Sequence, residues 1–246
     1  MSSVCIIVPC FNEASRLPVG TFLAFQQQHP DISFCFVDDG SQDATADVLK
    51  QLQARNQAQT EVLILDRNQG KAGAVRAGML HMTHDSRGAF DYLGYLDADL
   101  ATPLPAIWDL SAQLDQHPQR EMVMGSRIKY LGVDIRRNNF RHYVGRIIAT
   151  AISNLLKLAV YDTQCGAKLF RRVVVPDLFR ATFISPWLFD VEILARQIQR
   201  HGRAGLDKYV VEVPLRQWVE QDESRVKLSY FFRMWGELYR IYQAYR

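Results

Sequence analysis

Four apolar runs in the first hundred residues each stop at a polar cluster, and this repeat limits the folds open to the chain. Val4–Pro9 runs into Pro9-Cys-Phe-Asn-Glu13, Phe34–Asp38 into Asp38-Asp-Gly-Ser41, Glu61–Leu65 into Asp66-Arg-Asn-Gln-Gly-Lys71, and Tyr92–Leu96 into Asp97-Ala-Asp99. A fifth run covers Met122–Gly125. The runs read as strands, and the stretches between them have the apolar period of helices of about three turns. Near-continuous apolar strands joined by crossover helices predict an α/β fold, a Rossmann-like mainly parallel sheet flanked by helices. In such a sheet ligands collect at the carboxyl ends of the strands, where the four clusters fall. Each cluster alone has a plainer reading. Pro9 can simply stop a strand, and Asp38–Ser41 can be a turn into a helix capped by Ser41 or Asp43. Those readings do not explain four such clusters at four successive strand ends.

Asp97 and Asp99 point to chemistry. Residues two apart on an extended chain face the same way, and two carboxylates held together repel unless a cation lies between them. Mg²⁺ and Mn²⁺ favour carboxylate, water and phosphate oxygens, so the pair suits a metal–diphosphate; a solvated turn is the alternative. Gly70-Lys71-Ala-Gly73 lacks P-loop spacing, but Lys71 at a helix start is placed to meet a diphosphate oxygen. No Gly-x-Gly-x-x-Gly follows the first strand, which disfavours a dinucleotide dehydrogenase.

The 246 residues contain no Pro/Gly/Ser-rich linker, so a single domain spanning 1–246 is expected, with a nucleotide-binding half over 1–125 and an acceptor half over 126–246. The scattered cysteines Cys5, Cys10, Cys35 and Cys165 make no Cys-x-x-Cys pair and fit a reducing compartment. No signal-peptide core and no run of 18 apolar residues is present, so the expectation is a cytoplasmic protein that does not span the membrane. The net charge of +3 is concentrated: Arg127, Lys129, Arg136, Arg137, Arg141 and Arg146 face only Asp134 across residues 127–146. A patch this local suits a phosphate or an acidic lipid surface rather than nucleic acid.

Taken together these motifs resemble inverting family 2 glycosyltransferases of the GT-A fold, and among them the polyprenyl- or dolichyl-phosphate sugar transferases. The resemblance covers nearly the whole chain. It implies that Pro9, Phe11, Glu13, Asp38, Asp39 and Asp97 hold a sugar nucleotide, with Asp99 as ligand to a divalent cation, Mg²⁺ or Mn²⁺. Gly125-Ser-Arg127, the Arg136–Arg146 region and Asp162-Thr-Gln-Cys-Gly-Ala-Lys-Leu-Phe170 look like the lipid-phosphate transferases, the last segment most like the dolichyl-phosphate glucosyltransferase type. Mannosyl relatives often carry Gln where this chain has Ala101, which leans the donor toward UDP-glucose over GDP-mannose; the glucosyl branch usually has Phe where Ala167 stands. By the same resemblance Asp97, Asp99, Arg127, Arg141 and Lys168 are catalytic, Lys71 and the cation neutralise the departing diphosphate, and Arg127, Arg141 and Lys168 hold the acceptor phosphate. Arg137, Arg146, Gln164 and Lys227 are secondary acceptor candidates. Asp190 is kept as a further candidate, against the reading that it and Glu192 simply favour a helix start.

Two stripes bear on the acceptor. Val144, Ile147, Ile148, Ala151, Ile152, Leu155, Leu156 and Ala159 share one helical face, and Phe231, Trp235, Leu238, Tyr242 and Tyr245 form another opposite Arg233, Glu237 and Arg240. Such stripes cover a core, form a homodimer or lie on a membrane; flanking bases and aromatics favour peripheral contact with the inner membrane face. The expected activity is hexosyl transfer from a nucleotide sugar to a polyprenyl phosphate. A family 2 transferase with a soluble or protein acceptor, a nucleotidyltransferase and a non-catalytic membrane module are the competitors.

Overall fold

Val4–Cys10 forms the first strand, β1, and is buried almost throughout, as a run without polar alternation must be. Helix α1 (Val19–Gln28) leads to β2 (Ile32–Asp38), α2 (Thr45–Arg55) to β3 (Thr60–Ile64), and α3 (Gly70–His84) to β4 (Tyr92–Tyr95). There follow α4 (Ala106–Gln116), β5 (Met122–Ser126), β6 (Asp134–Arg136), α5 (Asn139–Leu156), β7 (Lys168–Arg171) and α6 (Val175–Phe179). The chain closes with α7 (Phe189–His201), β8 (Val210–Pro214), β9 (Gln217–Val219) and α8 (Leu228–Ala244). This structure, a computed structural model, describes residues 2–84, 90–136, 139–220 and 228–246, and the side chains at 139–142 and 228–232 lie outside that description.

Seven strands make one sheet in the order β3-β2-β1-β4-β7-β5-β8. The expected α/β architecture is present, and the five expected strands occur within two residues of their anticipated bounds. β7 was not anticipated. It lies antiparallel between β4 and β5, pairing Tyr95 with Lys168 on one side and Met124 with Lys168 on the other. β8 continues the sheet parallel to β5, and β6 and β9 form a separate parallel ribbon. The second half of the chain is thus not only helical, because β7 and β8 complete the sheet begun by the first half.

One core layer lies under α3, α6 and α7 and includes Ile7, Val37, Val75, Leu93, Tyr95, Phe170 and Phe189. The other includes Ile6, Phe22, Phe34, Phe36, Leu49, Leu110 and Leu169. Phe22 meets the rings of Phe34 and Phe36 edge-on, at centroid distances of 5.1 and 5.0 Å.

The stripe on α5 divides. Ile152 and Leu156 are buried and Ile148 and Leu155 pack against the core, whereas Ile147 is 61% exposed. On α8 the buried face is Met234, Glu237, Leu238 and Ile241, while Trp235 is 42% exposed. This corrects the grouping of the stripe: Leu238 faces the core while Trp235 is partly exposed, and Glu237, expected opposite the stripe, lies on the buried face. Phe231 lies outside the described side chains. Among the described residues, no helix is long and apolar enough to cross a membrane.

Gly94 is the tightest point of the sheet. A Cβ there would lie 2.4 Å from the Lys168 carbonyl oxygen and 2.7 Å from Leu169 Cδ1. Backbone in mid-sheet has little room to move, so Gly94→Ala is expected to destabilise the protein by about 1–3 kcal/mol, the usual range for overpacking. A lower urea midpoint with an unchanged m-value checks this.

Candidate active site

The carboxyl ends of β1, β2, β4 and β5 open into a cleft of about 830 Å³. Pro9 enters from the end of β1, Phe11 and Glu13 from beyond it, Asp39 from just past β2, Asn68–Lys71 from the start of α3, and Asp97–Asp99 from beyond β4. Arg127 comes from the end of β5, Gly166 from the turn before β7, Pro186 and Trp187 from the turn before α7, and Trp218 and Glu220 from β9 and beyond. Five carboxylates and three cations line it: Glu13, Asp39, Asp97, Asp99 and Glu220 against Arg16, Lys71 and Arg127.

Asp97 and Asp99 do not project in parallel from an extended strand. β4 ends at Tyr95, the Leu100 amide donates back to the Asp97 carbonyl at 3.3 Å, and Leu100 takes a φ of 52°. The two carboxylates meet through this turn, not through strand alternation. Asp97 Oδ1 lies 2.5 Å from Lys71 Nζ. Burial opposes the Lys71 charge, but Asp97, Asp190 and Asp99 outweigh it and hold its pKa above that of an ordinary lysine. Burial and then the charge of Asp97 raise the pKa of Asp99, against the Ala101 amide, which donates to Asp99 Oδ1 at 3.0 Å.

Gly166 makes this arrangement possible. A Cβ at that position would fall 2.0 Å from Asp97 Oδ2 and 2.6 Å from its Cγ. The sequence reading did not single out Gly166, and its only local signal is a glycine inside the Asp162–Phe170 segment. Asp39 lies across the cleft. Burial is the main cause that lifts its pKa to about 6, opposed by the amides of Gln69 and Gly70 and reinforced by Asp38; Gln69 N donates to Asp39 Oδ1 at 2.7 Å.

Arg127 is fixed from two sides. Its Nε and Nη2 donate to Asp162 Oδ2 and Oδ1 at 2.6 and 2.7 Å, and its guanidinium lies 5.2 Å from the Trp218 ring centroid. Glu212 on β8 in turn accepts from the amides of Asp162 and Tyr161 at 2.6 and 2.8 Å. The carboxylate pair leaves three of the five guanidinium N–H donors for a ligand.

Lys168 needs correction. Its ammonium is buried, 2.6 Å from Asp190 Oδ1, and donates to the carbonyls of Thr163 and Cys165 at 2.9 and 2.7 Å. With three partners for three N–H groups it has no donor left for an acceptor phosphate. Tyr95 Oη also donates to Asp190, so Asp190 belongs to this buried cluster and does not line the cleft. Asp38 is buried as well and accepts from Ser41 N and Oγ, which makes it the anchor of its turn rather than a wall of the cleft. Arg146 donates to the Tyr161 carbonyl and lies over the Tyr161 ring at 3.7 Å, outside the cleft lining. Gln164 is half-buried, its Nε2 without a hydrogen-bond partner, and does not line the cleft. Arg137, Lys227 and the side chain of Arg141 lie outside the described residues.

A divalent cation is tested by the donors present. The lining is acidic, so a diphosphate entering it meets net negative charge that a cation next to Asp99 would offset. Among the described residues no three His, Cys, Asp or Glu side chains converge as a closed metal set. Two carboxylates completed by phosphate and water oxygens suit Mg²⁺ or Mn²⁺, which keep several non-protein ligands. The residues present fit.

The family model described as Glycosyl transferase family 2 matches residues 5–179. Dolichyl-phosphate beta-glucosyltransferase of Mus musculus is 36% identical over 204 residues, 77% of this chain and 61% of the mouse protein. The Drosophila melanogaster protein of the same name is 33% identical over 255 aligned positions, 98% of this chain and 74% of that protein. This chain therefore spans less than two thirds of the mouse relative. Among solved structures, glucosyl-3-phosphoglycerate synthase from Mycobacterium tuberculosis in complex with uridine diphosphate superposes with a TM-score of 0.67 at 17% identity, covering 99% of this chain and 80% of that one. The same synthase has been solved with Mn²⁺, UDP-glucose and phosphoglyceric acid. At that identity the likeness concerns the fold.

Two outcomes follow from the charges. Lys168→Met leaves Asp190 buried without its counter-ion and is expected to cost about 3–5 kcal/mol of stability, measured by urea unfolding. For Asp39 the native pKa of about 6 exceeds the ordinary aspartate value of 3.8, so the folded state binds the proton more tightly and stability is lost as pH rises between those values. Asp39→Asn, which keeps an acceptor oxygen for Gln69, is expected to gain stability relative to the wild type across that window and to hold the gain above it. A pH series of unfolding midpoints in which the two proteins run parallel would contradict the assignment.

Proposed function

The chain belongs to glycosyl transferase family 2, and from that premise we propose that it transfers glucose from UDP-glucose to a polyprenyl or dolichyl phosphate at a membrane surface. The observation that carries this reading is the convergence of Lys71, Asp97, Asp99 and Arg127 in one cleft at the strand ends. The names of the mouse and fly relatives support the sugar and the lipid acceptor.

Pro9, Phe11, Glu13 and Asp39 form the end of the cleft assigned to the nucleoside. Asp99, with Asp97 beside it, would hold a divalent cation, which would supply charge neutralisation to the diphosphate. Lys71 serves the same end from the first turn of α3, at the positive end of the helix dipole. Arg127 orients the acceptor phosphate. Because Nε and Nη2 are already committed to Asp162, the guanidinium is held in place before the acceptor arrives. An oxygen of that phosphate forms the new bond to the anomeric carbon while the bond from that carbon to the nucleotide breaks, and the electron pair leaves on the diphosphate. A phosphate monoester has a second pKa of about 6 and is mostly dianionic at neutral pH, so the reaction needs positioning more than a general base. Arg141 and Arg137 remain assigned to the acceptor by resemblance. Lys168 acts indirectly, through the turn it pins.

The membrane-facing surface is assigned to α5 and α8, which pack together. Tyr143 is 69% exposed and Tyr239 is 62% exposed, beside Ile147 and Trp235. Aromatic side chains of this kind favour the water–lipid boundary. A homodimer through the same face is the competing occupant.

Incubation with radiolabelled UDP-glucose and polyprenyl phosphate in mixed vesicles is expected to move label into the organic phase, and EDTA to stop it. Label that stays aqueous with phosphoglyceric acid as acceptor, or that comes only from GDP-mannose, overturns the acceptor or donor assignment. Arg127→Lys loses the paired N–H geometry and is expected to lower turnover about 10–100-fold with UDP affinity retained. Salt is a separate check on the surface: binding to anionic liposomes should weaken steeply toward 1 M salt, where screening acts within about 3 Å. Binding indifferent to lipid charge counts against it.

A further inference from the structure

A carboxylate on the inner face of an amphipathic helix needs a reason, and Glu237 of α8 has one. It is 7% exposed and accepts a hydrogen bond from Ser185 Oγ. The same Ser185 oxygen accepts from the amides of Trp187 and Leu188 at 3.2 and 2.8 Å. A serine hydroxyl has one proton and two lone pairs. With the proton directed to Glu237, the lone pairs face the two amides that shape the turn into α7. That turn carries Pro186 and Trp187 into the cleft. Its other end is held by Glu192, which accepts from the amides of Ile184 and Ser185 at 2.9 and 3.0 Å and also from Tyr245 Oη of the C-terminal segment at 3.4 Å.

The turn also reaches the lysine of the site. The Ala72 amide donates to the Pro186 carbonyl at 3.2 Å, and a Cβ on Gly70 would stand 3.2 Å from Pro186 Cβ. Lys71 lies between these two contacts, so the position of its backbone is set from the Pro186 side. Two separate parts of the cleft, the Trp187 wall and the start of α3, are therefore referenced to one hydroxyl.

We propose that Ser185 and Glu237 are positioning residues: α8 sets the Pro186–Trp187 turn and, through the Pro186 carbonyl, the first turn of α3 that carries Lys71. The inference deepens the proposed activity and rests on it only where nucleotide binding is the readout. It makes α8 part of the donor side of the enzyme, although none of its described side chains lines the cleft.

The experiment compares Ser185→Ala, Glu237→Ala and Glu237→Gln with Tyr239→Ser, a change on the exposed face of the same helix. Without any ligand, amide hydrogen exchange at Ala72, Trp187 and Leu188 is expected to speed up about fivefold in the two alanine variants, the effect of losing one net hydrogen bond. Exchange at Ile6 and Ile7 of β1 should stay unchanged. Glu237→Gln keeps an acceptor oxygen and should restore most of the protection, and Tyr239→Ser should leave it intact. Titration with UDP and Mn²⁺ should show weaker binding in both alanine variants, with the double variant little worse than either alone, since both remove one interaction. Unchanged exchange at Ala72 in a folded Ser185→Ala protein overturns the proposal, as does acceleration spread equally through β1, which would signal general destabilisation. A wild-type protein that does not bind UDP sinks the donor assignment above, while the exchange measurement still decides this one.

Discussion

The Lys168 ammonium is the charge on which the rest of the structure depends. It sits where an antiparallel strand, two parallel strands and a helix meet, and it is neutralised there by Asp190. Burying a charge costs several kcal/mol unless it is paired and its donors are filled, so the partners of Lys168 must stay in place together. Two of them are carbonyls of the turn before β7, one is the helix residue Asp190, and Tyr95 of β4 reaches that same carboxylate. The turn that contains Gly166 is thereby clamped from below. Its close approach to Asp97 is what leaves Asp97 facing Lys71 and not the sheet.

From that clamp the site divides into the proposed donor side and the proposed acceptor side, which have different mechanical support. On the proposed donor side, Lys71, Asp97 and Asp99 lie together in an acidic cleft, Lys71 placed by the first turn of α3 and the two aspartates by the turn beyond β4. On the acceptor side, Arg127 is one member of a chain that runs from Glu212 through Asp162 to the guanidinium and on to the Trp218 ring. The order of that chain matters. The charge assigned to the acceptor phosphate is oriented beforehand by Asp162, which is the arrangement that stabilises developing charge with little reorganisation.

Much of this was legible in the sequence because the responsible signals are local. Apolar runs that stop at Pro9, Asp38 and Asp97 mark β1, β2 and β4, and polar clusters after parallel strands have few other uses. Those clusters marked where Lys71, Asp97 and Asp99 would gather, and the family resemblance added Phe11, Glu13, Asp39 and Arg127, all of which line the cleft. What stayed hidden depends on distant contacts. Lys168-Leu-Phe-Arg171 is only four residues long and has no periodicity, so nothing local distinguishes an antiparallel insertion between β4 and β5. Whether Lys168 meets a phosphate or Asp190 is settled by where α7 lies, and whether Glu237 faces in or out by the position of Ser185. Hydropathy assigns any carboxylate to the outer face, and at Glu237 contacts within the fold, the Ser185 hydroxyl among them, outweigh it. Gly166 was missed because the need for a missing side chain is set by a residue nearly seventy positions away.

The insertion of β7 also bears on the order in which the chain acquires its structure. β4 and β5 do not touch each other; each pairs with β7, which is made more than forty residues after β5. Until Lys168–Arg171 leaves the ribosome, β4 and β5 each present an open edge, and the apolar face of Tyr95 lacks Phe170. A chain cut after residue 126 would keep every carboxylate of the donor motifs and still be unable to close its sheet. The two halves that the motifs suggest are chemical divisions rather than separable pieces: a circular permutant opened between α2 and β3 interrupts only local pairing, whereas one opened between β5 and β7 divides the strand set on which both halves close.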